Sequence, residues 1–128
     1  MGEARRILNS FLQFIEQDES ESIIVAATNN QRLLDQALFR RFDDVLHYSM
    51  PSKEDIRRLF ELRMGAFDRY FLVSEQLIDD ASPLSHAEII RVCDDAIKIS
   101  ILEYSSISES ILSKLISDRI AAYSPKEA

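Results

Sequence analysis

Residues able to meet a phosphate cluster in one short stretch of the chain. Residues 23–27, Ile-Ile-Val-Ala-Ala, form an unbroken apolar run that stops abruptly at Thr28, Asn29 and Asn30. A short β-branched run without alternation suits a strand buried on both faces, as in a parallel sheet. Open α/β sheets bind their ligands just beyond the carboxyl ends of such strands. There, the hydroxyl of Thr28 and the amide of Asn29 can hold a water or touch a phosphate oxygen. A little further on, Asp35 can cap a short helix over 36–39, which delivers the adjacent guanidiniums of Arg40 and Arg41. Paired arginines suit planar, bidentate phosphate recognition and stay charged at any working pH. The plainer alternative is a surface arginine pair following an ordinary buried strand.

Ala-Ala-Thr-Asn at 26–29, then Leu-Asp-x-Ala-Leu-x-Arg-Arg-Phe-Asp at 34–43, resembles the second region of homology of AAA ATPases. The resemblance implies that Asn29 is the first sensor residue, which helps to orient the attacking water. It implies that Arg40 and Arg41 are fingers on the nucleotide of a neighbouring subunit. Many family members separate the two arginines as Arg-Pro-Gly-Arg. Here they are contiguous, and which one reaches the phosphate stays open. Gly2-Glu3-Ala4-Arg5-Arg6 matches the point shortly after the family's Walker B pair. Arg5 and Arg6 there face a neighbouring subunit or a central pore, or are simply solvated helix charges. Further on, Leu84-Ser-His-Ala-Glu-Ile resembles the element that opens the third helix of the family's lid. By that likeness Ser85, His86 and Ala87 lie near the nucleotide base, with His86 where glycine is usual. An ordinary helix N-cap explains Ser85 and Glu88 equally well. Arg91 lies one turn on and reads as a surface charge.

What the sequence lacks is as informative. A phosphate loop needs Gly-x-x-x-x-Gly-Lys-Ser/Thr, because glycine backbones must approach the phosphates and a lysine must reach them. The only glycines are Gly2 and Gly65. No apolar strand ends in an acidic pair that would hold Mg²⁺. By the resemblance both elements precede Met1, and the family's sheet sets strands of that missing half on either side of 23–27. The chain therefore reads as the back half of an ATPase, a truncated frame or an excised segment.

The surrounding elements follow from periodicity. Residues 3–17 predict an amphipathic helix, with Ile7, Leu8, Phe11, Leu12, Phe14 and Ile15 apolar. Residues 45–48 predict a second short strand. Met50-Pro51 marks a boundary, since the residue before proline avoids the helical region. Beyond it only helices are expected. One runs over 53–67 with Ile56, Leu59, Phe60, Leu62 and Met64, capped by Ser52 with Asp55. A short one runs over 74–80. A long one opens at the capping box Ser85-x-x-Glu88 and runs through Ile101 and Leu102. The last opens at Ser108. The expected fold class is an α/β remnant of a P-loop NTPase sheet, residues 1–50, followed by an all-α four-helix lid bundle, residues 51–128.

Composition bounds the rest. A length of 128 residues allows a real core, and 46% apolar with 29% charged residues is an ordinary soluble mix. A net charge of −7 argues against a dedicated nucleic-acid surface. Cys93 is the only cysteine, so no intrachain disulfide can form, which fits a reducing cytoplasm. No run suits a bilayer span or a signal peptide, so no membrane partner is expected. His47, His86 and Cys93 lack zinc-ligand spacing, and no metal site is expected.

The resemblance implies that the parent protein hydrolyses ATP in a homo-oligomeric ring, a hexamer, with Mg²⁺ held by the missing half and a protein substrate remodelled. ATP or ADP would sit at the subunit interface, and this chain alone is not expected to bind it tightly or to turn it over. Two rivals remain: a non-enzymatic helical interaction module, and a decoy that inserts its arginines into full-length rings and poisons assembly.

Overall fold

The computed structural model describes residues 2–29 and 39–123, and the chain divides into two compact units, Met1–His47 and Tyr48–Ala128. In the first, helix α1 (Gly2–Gln17) carries two apolar stripes. Leu12 is buried, with Leu8 and Ile15 half-buried beside it at helical spacing. The adjoining stripe of Ile7, Phe11 and Phe14 is exposed. The Ser20 N–H donates to Asp18 Oδ1 at 3.0 Å just past the helix end, turning the chain away.

Residues 23–27 and 45–48 were expected to be strands, and this expectation is corrected. All regular structure among the described residues is helical, and both segments run without strand pairing. Ile23 and Val25 are 90% and 87% exposed. Leu46 and Tyr48 are exposed as well. The physical reason is that a strand is stabilised through its neighbours. An isolated extended segment has no ladder to join, and even a two-stranded pair is marginal in water. The helix expected over 36–39, with its Asp35 cap, lies outside the described residues except for Phe39.

The second unit holds four helices: α2 (Lys53–Phe67), α3 (Glu75–Ala81), α4 (His86–Glu103) and α5 (Glu109–Tyr123). Each begins where a serine can accept from a backbone N–H that lacks a helical partner. Ser52 Oγ accepts from Asp55 N at 3.1 Å while Asp55 Oδ2 accepts from Ser52 N at 3.0 Å, closing the box expected there. Ser85 and Glu88 do the same at 3.3 and 3.1 Å. Ser74 and Ser108 cap α3 and α5 through Leu77 N and Ile111 N.

Ile56, Phe60 and Met64 form one stripe of α2 and meet Ile89, Val92, Cys93 and Ala96 of α4 in the core. Leu77, Ile78 and Ala81 of α3 and Leu112 and Ile116 of α5 complete it. Phe71, Val73 and Ile107, from the connections, pack against the same core, and Leu84 is buried within it. Leu62, Ile101 and Leu102, apolar residues along the same helices, are exposed. Along α2 the buried set steps by four from Ile56, and Leu62 falls off that stripe. Helices α2 and α4 run side by side in the same direction. The Asp55 carboxyl feels His86 at one end, and Arg63 Nη2 bonds Asp94 Oδ2 at 3.3 Å further along both. Lys53 to Asp79 at 3.0 Å and an Arg57–Glu75 pair tie α3 back across the start of α2. These pairs lie at the surface and fix orientation more than they stabilise.

Helix α4 ends at Tyr104 in the left-handed conformation, φ 51°. The Tyr104 and Ser105 N–H groups both donate to Ser100 O, and the buried Ser100 hydroxyl donates to Ser105 O. No helix among the described residues is long and apolar enough to cross a membrane.

Three tests follow from this packing. Tyr104 is 98% exposed yet holds a backbone that favours glycine, so Tyr104→Gly loses no contact and relieves strain. It should raise unfolding stability by about 0.5–1 kcal/mol in urea titration. Cys93 is fully buried, and burial pushes its thiol up to about 12. Folded protein at pH 8 should therefore resist a disulfide-exchange reagent, with labelling appearing only as denaturant opens the core. The Asp55 carboxyl is held below its ordinary 3.8 by the Ser52 N–H first and the Ser52 hydroxyl second. A lowered folded-state value means its contribution is complete above 3.8 and lost as pH falls through the lowered value. Asp55→Asn should flatten the loss of stability as pH falls below 3.8.

Candidate functional site

In the first unit, the chain leaves its extended run at Thr28 and bends at Asn29, and both residues are exposed. Asn29 thus stands at the carboxyl end of the run, with its amide in solvent. Arg40 and Arg41 occupy the turn that follows Phe39, where Phe42 N donates to Phe39 O at 3.2 Å. The Phe39 and His47 rings lie 6.1 Å apart and tilted by 50°, closing the base of this turn. His47 is exposed.

The two arginines differ in their surroundings. Arg41 Nη1 lies 3.1 Å from Glu16 Oε1, at the end of α1. Arg40 is exposed and makes no ion pair among the described residues. A guanidinium already bound to a carboxylate must exchange that partner before taking a phosphate, whereas a solvated one need only shed water. Of the two, Arg40 is therefore the more available to an anion. Sequence reasoning did not find Glu16. A signal was present: no cation stands three or four residues away along α1, so its partner had to come from elsewhere.

In the second unit, the candidate base-contacting residues begin α4. The Ser85 hydroxyl is engaged by Glu88 N, so its role here is the cap, while His86 and Ala87 are exposed. Beside them lies an open depression of about 370 Å³ lined by Ala87, Glu88, Ile90, Arg91, Asp94 and Arg119. Two cations and two carboxylates share its rim, so it presents no net field for an anion. Ala87 alone of the three candidates borders it. Arg91 is exposed, as a surface charge should be.

Asn29 and Arg40 are each accessible donors, an amide and a guanidinium, of types that can meet a phosphate oxygen. They do not suit a nucleotide held from all sides. The chain has no glycine-rich cradle and no lysine placed to follow one.

Comparison with known proteins gives a consistent picture. The family model described as ATPase family associated with various cellular activities (AAA) matches residues 1–50. An uncharacterized AAA family ATPase, y4kL, of Sinorhizobium fredii is 39% identical over 103 residues. That match covers 79% of this chain and 30% of the relative. The ATP-dependent zinc metalloprotease FtsH of Parabacteroides distasonis is 31% identical over 103 residues, covering 77% of this chain and 15% of the relative. ATPase family AAA domain-containing protein 3-A of Xenopus laevis is 32% identical over 68 residues, covering 53% and 11%. The chain thus spans less than a third of the length of each of these relatives. No solved structure matches significantly. Asn29 and the contiguous Arg40 and Arg41 fall within the stretch that the family model matches, and the chain belongs to the AAA ATPase family.

Proposed function

We propose that this chain contributes the phosphate-sensing residues and the helical lid of an AAA module that hydrolyses ATP between subunits of a ring. Residues 1–50 belong on this reading to the nucleotide-binding α/β part, and 51–128 form the lid. Asn29 orients the attacking water in its own subunit. Arg40 reaches the terminal phosphate bound by the next subunit, and Arg41, held to Glu16, steadies the turn that presents it. ATP and its Mg²⁺ are held by a phosphate loop and acidic pair that these 128 residues do not contain. Alone, the chain neither holds nor turns over the nucleotide. Thr28 sits beside Asn29, and Ser85, His86 and Ala87 border the base from the lid, with Ser85 acting through its cap. The hexameric ring, its cytoplasmic setting and a protein substrate to be remodelled belong to the same proposal.

The observation that carries this reading is the contrast between the arginines: Arg41 is paired to α1, whereas Arg40 is exposed and makes no ion pair among the described residues. A guanidinium supplied across an interface stabilises charge developing on the transferred phosphoryl group and is worth about 10³-fold or more in turnover. A second reading, a helical interaction module without catalysis, draws on the complete core of Tyr48–Ala128.

Mixing the chain with a full-length AAA relative whose own finger arginines are replaced by alanine separates the two. Restored ATP turnover is expected. Arg40→Ala should remove that gain almost entirely, a loss of about 10³-fold, while Arg41→Ala and Glu16→Ala should reduce it about tenfold or less. Equal loss from Arg40→Ala and Arg41→Ala would show that the pairing with Glu16 does not sort their roles. No restoration by the unaltered chain would favour the interaction module.

A further inference from the structure

The second unit leaves large side chains open at one end. Helices α2 and α4 run in the same direction, so their carboxyl ends share that end. Phe67, Tyr70 and Leu72 lie at and just past the end of α2, and Ile101, Leu102 and Tyr104 at the end of α4. All six are exposed, by 46% to 98%. Taking roughly 200 Å² for each residue when fully open, they present about 900 Å² of surface. The largest apolar patch of a typical monomer covers about 300–600 Å². A stable pair of proteins buries about 800 Å² on each partner. Helix α2, 15 residues and about 22 Å long, separates this end from Ser52, where the chain enters the unit.

Charge chooses the occupant. Among the six lie two cations, Arg69 and Lys98, and two carboxylates, Asp68 and Glu103. Lys98 and Glu103 are exposed and make no ion pair among the described residues. A surface carrying both signs in equal number can complement itself across a two-fold axis, whereas a patch of one sign repels its own copy. An anionic lipid surface, by contrast, would meet a chain of net charge −7. One aromatic is also ordered in advance. The Arg69 guanidinium lies 4.9 Å from the centre of the Tyr70 ring and donates to its hydroxyl at 2.8 Å, which lowers the entropy lost on contact.

We infer that two copies of this chain pair through this end of the second unit, in an isologous contact that closes at two. Such a contact differs from the head-to-tail kind that builds a ring, and it needs no nucleotide. It also gives the Tyr104 ring a use. That ring stands in solvent on a left-handed backbone that glycine would hold without strain, so it serves the contact rather than the fold.

Sedimentation equilibrium of the full 128-residue chain tests this, with the variants checked for helix content by circular dichroism. The mass should rise with concentration from 14.7 kDa towards twice that value and stop there, with half-association at about 100 µM or below. Leu102→Asp should weaken the pair at least about tenfold, because it sets a charge in the contact. Tyr104→Gly should raise the urea midpoint of the monomer and yet weaken the pair, a split that a purely structural role does not produce. Val25→Asp, at an exposed position in the first unit, should leave association unchanged. A chain that stays monomeric throughout overturns the inference. So does a mass that climbs past two copies, or a pair that survives both Leu102→Asp and Tyr104→Gly. Loss of the pair in Val25→Asp with helix content unchanged places the contact elsewhere and overturns it equally.

Discussion

A helix satisfies its backbone hydrogen bonds within itself, whereas an extended segment carries all of them outward. That difference separates the two units of this chain. In Tyr48–Ala128 every regular element is a helix. Its remaining needs are a cap at each start and a partner for one apolar stripe. Four serines supply the caps and the facing helices supply the partners, so the unit closes on its own residues. In Met1–His47 the apolar run is extended, and nothing described there meets its edges. The same chain therefore holds one finished core and, among the described residues of the other unit, one exposed apolar segment.

This explains what could be read from the sequence and what could not. The capping boxes at Ser52 and Ser85 were legible because each is a local bargain, struck between residues three apart. The stripe Ile56, Phe60 and Met64 was legible because helical period and burial coincide. The strands were inferred from composition, and composition reports what a segment needs, not whether its partners are present. Residues 23–27 have the make-up of a central strand, and among the described residues there is no sheet for them to occupy. Phe71 and Val73 were passed over because they lie in a connection, where no period flags burial. The exposed Leu62, Ile101 and Leu102 show the converse, that an apolar residue on a helix need not be core when its angle lies off the buried stripe.

At the site, residue types were readable and pairings were not. Asn29, Arg40 and Arg41 stood out by spacing alone. That Arg41 is bound to Glu16 depends on how a turn returns to the end of a helix more than twenty residues earlier in the chain. Sequence proximity makes the two arginines look equivalent; the ion pair makes them different.

The shared direction of α2 and α4 has an electrostatic consequence. Peptide dipoles in parallel neighbours add rather than cancel, so the end where both helices start gathers two partial positive charges. Asp55 and Glu88 sit there, one in each first turn, and each carboxylate also closes its own cap. The two capping boxes thus set negative charge at a shared positive pole of the bundle.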